Sequence, residues 1–285
     1  MAAPHLAFDA HGGPDLTQGS IVFIGTATVL LRYAGFTVLT DPSFMHRGER
    51  AWPGLGSRRR TDPVLEIDAL PSLDLVVLSH LHPRHRDRIA DARLPRSVPV
   101  VTTRSAAAAL HTRGFVRTVP LATWETLDCD KGAVRLRITA MPGRHGPPLV
   151  SRLLPPVMGS LLEFETVDGR PLLRLYVTGD TLLHDGMREI RARYGDIDIA
   201  LLHLGGARVL GLRLTMDAAQ GVALMRIVQP RLAIPIHDDD TAVTSPLSDF
   251  QEAVSEAGLS DRVHYLLRGD TFAFKTPPGR LLRTA

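Results

Sequence analysis

A chain of 285 residues, 44% hydrophobic and 22% charged, holds enough apolar material for one large core or two small ones, and the reading adopted is one domain over 1–285. The formal net charge of +3 is carried by arginine, since Lys131 and Lys275 are the only lysines, and this reads as genomic composition rather than a nucleic-acid-binding surface. No stretch approaches the roughly 20 apolar residues of a membrane span, and the start MAAPHLAFDAHGG has neither a charged nor an apolar leader, so a soluble, cytoplasmic protein is expected. The lone Cys129 excludes an intrachain disulfide and a thiolate cluster, and is expected to be structural.

The segments SIVFIG, ATVLLRYAG and FTVLTDP alternate in hydropathy and predict three strands, with a turn at Ala34 and Gly35. From about Ser43 to Pro63 the chain is rich in Gly, Pro and Arg. A loop of that length is uncommon unless functional, which makes it a candidate lid carrying Trp52 and the run Arg58, Arg59, Arg60. A solvated face is the plainer reading of that run. Leu75 to Leu78 predict the end of a buried strand, followed at once by His80, His82 and His85. SVPVVTT predicts a strand, SAAAALHTRG a helix ending at Gly114, and WETLDCD and AVRLRITAMPG two more strands. GSLLEFETV and PLLRLYVTGD predict a hairpin about Asp168 and Gly169. A helix over about 185–194 leads to the buried strand DIDIALLHLGG. Thr215 is a candidate cap for the helix MDAAQGVALMRIV, which precedes the strand RLAIPIH and the helix SDFQEAVSEAG. Strands first, then strand and helix in alternation, twice over, predict two packed sheets flanked by helices.

Three of the twelve histidines fall within six residues, where an apolar run ends. His80 and His82, two apart on extended backbone, point to the same side, and neutral imidazole suits zinc or iron. A polar loop that happens to be rich in histidine is the plain alternative. His145, Asp180, His203 and His237 share the same address, the carboxyl end of a predicted strand, where ligand sites of open sheets lie.

In these residues the sequence resembles the metallo-β-lactamase superfamily, and within it the UlaG-like metal-dependent hydrolases, a branch that includes the N-acyl-phosphatidylethanolamine phospholipase D type. The resemblance runs from IGTATVLLRYAGFTVLTDP through SHLHPRH, MPGRHGP, VTGDTLLHDG and LLHLGG to PIHDDD. It implies an α/β fold, the four-layer αββα sandwich. It also implies that His80, His82 and His145 hold a first metal, that Asp180 bridges, and that His85 and His237 belong to a second. The family's HxHxDH aspartate is Arg84 here. A guanidinium about 5 Å from a divalent ion, at an effective dielectric of about 20, would cost about 6 to 7 kcal/mol. One tightly bound zinc is therefore expected, with iron or manganese as other ions that suit the ligands. Thr26 stands where relatives often carry His, a change expected to act behind the ligands. Asp41 and Asp87 would orient ligands by accepting an imidazole N–H, with a turn-forming role as the alternative. His203 is expected to be a buried pocket histidine rather than a ligand. His5, His11, His46, His111, His184 and His264 lack such context and are expected at the surface.

The chemistry implied is metal-assisted hydrolysis: the ion lowers the pKa of water toward about 7, Asp180 positions the nucleophile, and Arg84 steadies an anionic group or oxyanion. The apolar segment at about 147–158, with Leu153, Leu154, Val157 and Met158, and the lid suggest a small-molecule substrate with an apolar body and an anionic group. An ester, lactone, amide or phosphodiester would qualify. A packing role for that segment leaves a homo-oligomer open. The competing reading is an altered site that binds a metabolite or nucleic acid without catalysis. The absence of an appended nucleic-acid module and the 5% aromatic content disfavour RNA. Iron-dependent redox chemistry is a third reading.

Overall fold

Period-two alternation, with both faces covered, gives strands that read as near-continuous apolar runs. Along β11, β12 and β13 (Val134–Met141, Gly159–Thr166 and Pro171–Val177) it is visible residue by residue. Leu136, Ile138, Leu162, Phe164 and Leu175 join one buried cluster, while Met141, Leu161 and Tyr176 join another on the opposite face. The protein is described by a computed structural model over residues 4–10, 12–52, 55–238 and 245–278.

Among the described residues, ten strands and two α-helices precede β11. They are β1 (His5–Phe8), β2 (Gln18–Gly25), β3 (Thr28–Tyr33), β4 (Phe36–Thr40), β5 (Arg50–Trp52), β6 (Leu55–Arg58), β7 (Leu75–Val77), α1 (Arg88–Arg93), β8 (Val100–Thr102), α2 (Arg104–Thr112), β9 (Thr118–Pro120) and β10 (Thr126–Lys131). After β13 come α3 (Arg188–Tyr194), β14 (Ile199–His203), the two-residue strands β15 (Arg208–Val209) and β16 (Leu212–Arg213), α4 (Ala218–Val228), β17 (Leu232–Ile236), α5 (Leu247–Glu256) and β18 (Thr271–Lys275).

Two seven-stranded sheets result, in the orders β1-β10-β11-β12-β13-β14-β17 and β18-β2-β3-β4-β7-β8-β9. Their inner faces meet through residues such as Phe23, Leu31, Ile138 and Phe164. Helices α3, α4 and α5 cover the outer face of the first sheet through Ile190, Met225 and Phe250. Helices α1 and α2 cover the second through Ala90, Ala106 and Leu110. This is the four-layer αββα sandwich expected from the sequence.

Several local expectations are corrected. The 43–63 segment is not a plain loop, because β5 and β6 pair within it. Its arginine run is not uniformly solvated: Arg58 and Arg60 are exposed, but Arg59 is buried and donates to the carbonyls of Met45 and Ser43 and to Thr26 Oγ1. The cap of α4 is Asp217, which accepts from the Gln220 N–H, while Thr215 Oγ1 accepts from the Ala207 N–H. His184 and His264 are partly buried rather than superficial, His264 lying 4.6 Å from the Phe272 ring. His11 and the side chain of Trp52 lie outside the described residues.

Asp87 does not reach an imidazole. Its Oδ1 accepts from the Ile89 and Ala90 N–H groups and caps α1, and its Oδ2 accepts from Ser43 Oγ and from the Phe44 and Met45 N–H groups. One buried carboxylate thus starts a helix and clamps the entry to the 43–63 segment. Asp87→Ala should lower stability by about 2–4 kcal/mol in urea unfolding, because it strands buried donors as well as removing a cap. Cys129 is fully buried in β10, where burial and then the Asp128 and Asp130 carboxylates push its thiol up to about 12. It should resist thiol reagents at pH 8 in the native protein and react once per chain in urea. Between about pH 9 and 12 only the unfolded chain ionises it, so stability should fall by about 1.4 kcal/mol per pH unit in that window.

Candidate metal centre

Strands β4 and β7 are parallel neighbours in one sheet, and β13, β14 and β17 are parallel neighbours in the other. Two successive antiparallel pairings bring β11 into the same direction as β13. Their carboxyl ends therefore open on one edge of the sandwich. Asp41 follows β4, the histidine cluster follows β7, His145 follows β11, Asp180 follows β13, His203 ends β14 and His237 follows β17.

Asp180 lies between two imidazoles, with Oδ2 3.1 Å from His85 Nε2 and Oδ1 3.8 Å from His237 Nε2. The rings of His85 and His237 stack at 4.9 Å. His80 stands 4.3 Å from His85, 5.7 Å from His82 and 5.2 Å from His145, measured between ring centroids. Among the described residues, the tightest groups of candidate ligand atoms are His80, His85 and Asp180, and Asp41, His85 and His203, each within 4.8 Å. His82 and His145 border the first group. His85 belongs to both, a more central place than the sequence suggested.

The second carboxylate, Asp41, ties the two sheets together behind these rings. Its Oδ1 accepts from the Ser79 N–H at 2.8 Å and Ser79 Oγ at 2.9 Å and lies 3.4 Å from His85 Nδ1, while its Oδ2 lies 3.5 Å from His203 Nε2. Ser79 Oγ also sits 3.0 Å from His80 Nδ1 and 3.2 Å from His85 Nδ1. His145 Nδ1 donates to the Leu214 carbonyl at 3.2 Å, which turns Nε2 toward the cluster. His203 Nδ1 is held by Thr178 Oγ1 at 3.3 Å. Ser79, Thr178 and the Leu214 carbonyl escaped the sequence reading. Ser79, directly before His80, is the one with a local signal.

The backbone is drawn tight here. Thr26, Asp41 and His237 all have positive φ, at 56°, 38° and 68°. Such conformations are costly for residues with a Cβ and gather at functional sites. The Thr26 carbonyl accepts from the His237 N–H at 2.8 Å, so this residue supports the final histidine from behind. Gly179, at φ 65°, lets its strand end pass Ser79: a Cβ there would lie 2.8 Å from the Met158 carbonyl oxygen and 3.0 Å from Ser79 Cβ.

Burial would raise both carboxyls, yet the neighbouring histidines hold Asp41 and Asp180 well below the usual carboxylate range. Burial also lowers His85, but Asp180 and Asp41 outweigh it and lift this imidazole to about 10. Burial pushes His82 and His237 down to about 3 and His80 well below its ordinary value, against the pull of Asp180. Those rings stay neutral, as ligands must. Arg84, half-buried, adds a positive charge that further disfavours protonation of His82, His145 and His237.

Buried polar atoms without a hydrogen-bond partner collect at this place: His80 Nε2, His85 Nε2, both ring nitrogens of His237, His203 Nε2 and Asp180 Oδ1. Each such atom costs about 1–3 kcal/mol, so a cluster of them is rare without a ligand. A divalent cation answers to this set, since imidazole nitrogens and a carboxylate are its ordinary donors.

Over 201 residues the chain is 29% identical to an uncharacterized protein of Mycobacterium tuberculosis, a match covering 67% of this chain and 50% of that protein. It thus spans about half the length of that relative. It is also 24% identical over 269 residues to a UPF0173 metal-dependent hydrolase of Anaeromyxobacter dehalogenans, covering 91% of this chain and 85% of the relative. Among solved structures, an isothiocyanate hydrolase from Delia radicum gut bacteria superposes with a TM-score of 0.75 at 22% identity, covering 90% of this chain and 99% of the other. A metallo hydrolase from Ignicoccus hospitalis gives a TM-score of 0.67 at 21% identity, covering 92% and 100%. At such identities the structural likeness establishes the fold. The profile of the beta-lactamase superfamily domain matches residues 37–237, the stretch from β4 to the last histidine of the cluster, and the chain belongs to that superfamily.

Proposed function

We propose that the protein is a metal-dependent hydrolase whose cation is held by His80, His82, His145 and Asp180, with His85 and His237 belonging to a second site that shares Asp180. The observation that carries this reading is the set of buried, unpartnered nitrogens and oxygen around Asp180. Zinc suits the donors best, and iron or manganese would also fit them. A bound cation supplies Lewis acidity and lowers the pKa of water.

The chain's own residues do the rest. Asp180, kept ionised by the imidazoles about it, accepts a hydrogen bond from the attacking water and aims it. Asp41, through Ser79 and His85, fixes the rings in place. Arg84, two residues after His82, takes the position of the family's aspartate, and its positive charge disfavours protonation of His82, His145 and His237. There it weakens a second cation and steadies an anionic group or oxyanion of the substrate. The substrate class that follows is an ester, lactone, amide or phosphodiester with an apolar body and an anionic group.

Elemental mass spectrometry on protein purified without chelator tests the centre. About one zinc per chain is expected in the native protein, about two in Arg84→Asp, and a loss in Asp180→Asn. Turnover on a panel of esters, lactones and phosphodiesters should fall at least about a hundredfold in Asp180→Asn. Two ions in the native protein would put Arg84 outside the second site. No metal, even after zinc is supplied, would overturn the hydrolase in favour of a metabolite- or nucleic-acid-binding protein.

A further inference from the structure

Eight large apolar side chains stand exposed among the described residues, and four of them lie on two segments that meet beside His145. Leu149 and Leu153 sit on the turns that follow this histidine, 80% and 87% exposed, and Leu210 and Leu212 on the β15–β16 hairpin, 96% and 46% exposed. The other four, Val64, Val116, Val167 and Leu267, are spread singly through the sequence. The two segments are joined at Gly146, whose N–H donates to the Leu214 carbonyl at 2.9 Å. A Cβ on Gly146 would lie 3.2 Å from Leu214 Cδ2 and 3.3 Å from Leu154 Cδ1.

Leu210 has no folding reason to be leucine. It occupies the tip of a two-residue hairpin turn with φ 49°, followed by Gly211 at 78°. That conformation favours Asn, Asp or Gly and penalises a branched apolar side chain. A residue that is both in a disfavoured conformation and almost fully in water gains nothing within the fold. Its apolar surface is useful only against something outside it.

Charge identifies the partner. Residues 142–158 and 205–216 contain Arg144, Arg152, Arg208 and Arg213 and no Asp, Glu or Lys. Arg213 is paired with Asp217, and Arg144 donates to the Leu183 carbonyl. Arg152 and Arg208 are exposed, with no ion pair among the described residues. A second copy docked by a two-fold axis would set these arginines against themselves, which disfavours self-association. Protruding leucines among arginines suit a surface that is apolar within and anionic at its boundary. No helix in the described residues is long and apolar enough to cross a membrane, so contact would be from one side.

We propose that the 147–153 turns and the β15–β16 hairpin form a docking surface for an anionic lipid bilayer, placing the metal-centre edge of the sandwich against it. The proposal rests on exposure, conformation and charge, and stands apart from the reaction assigned to the centre.

Sedimentation with phosphatidylcholine vesicles, with and without phosphatidylglycerol, tests it on the full chain. Binding is expected only with phosphatidylglycerol and should weaken as salt is raised. Leu210→Asn combined with Leu153→Ser should reduce it at least tenfold, and Arg152→Ser with Arg208→Ser should abolish the preference for the anionic lipid. Leu210→Asn alone suits the turn, so its melting temperature should hold or rise while binding falls, a separation that a merely structural leucine would not give. Absence of binding to either vesicle, equal binding to both, or binding unaffected by the leucine changes would overturn the proposal. So would concentration-dependent self-association that the same leucine changes remove.

Discussion

Two carboxylates held at depth, Asp41 and Asp180, set the terms for everything around them. A buried carboxylate is tolerable only when it is hydrogen-bonded and its charge is answered. Asp41 meets the requirement within the protein, through both donors of Ser79 and the rings of His85 and His203. Asp180 does not: imidazoles surround it, yet its Oδ1 has no hydrogen-bond partner. The first carboxylate is a brace and the second an invitation to a cation.

The brace also explains why the two sheets meet as they do. Asp41 directly follows a strand of one sheet, and His203 ends a strand of the other. Their contact, with His85 between Asp41 and Asp180, closes the edge of the sandwich where the ligands converge. Positive φ at Thr26, Asp41 and His237 is the backbone cost of that convergence. Arg59 braces the same corner from outside by reaching from the 43–63 segment to Thr26 and two carbonyls.

The sandwich was legible in the sequence because its strands are long in pattern even where short in length, and the turn at Ala34–Gly35 and the hairpin at Asp168–Gly169 carry glycine at positive φ. The cluster was legible because histidines after a buried strand have few other uses. What stayed hidden depended on distant partners. Asp87 lies beside the histidines in sequence but faces the start of α1 and the 43–45 backbone; Asp before RIADAR was the capping signal. Arg58, Arg59 and Arg60 look alike in the chain, and only partners distant in sequence, Thr26 Oγ1 and the carbonyls of Ser43 and Met45, select the middle one for burial. Thr215 and Asp217 are both capping types two residues apart, and the Ala207 N–H, across the β15–β16 hairpin, claims the first.

The claim that binds these observations is that Asp180 and the imidazoles about it form a cation site. The most direct measurement is anomalous diffraction from a crystal grown with zinc. The account predicts a strong peak within about 2.0–2.2 Å of an Asp180 carboxylate oxygen and of His80 Nε2. A peak confined to surface histidines such as His5 or His46, with nothing inside the cluster, would contradict it.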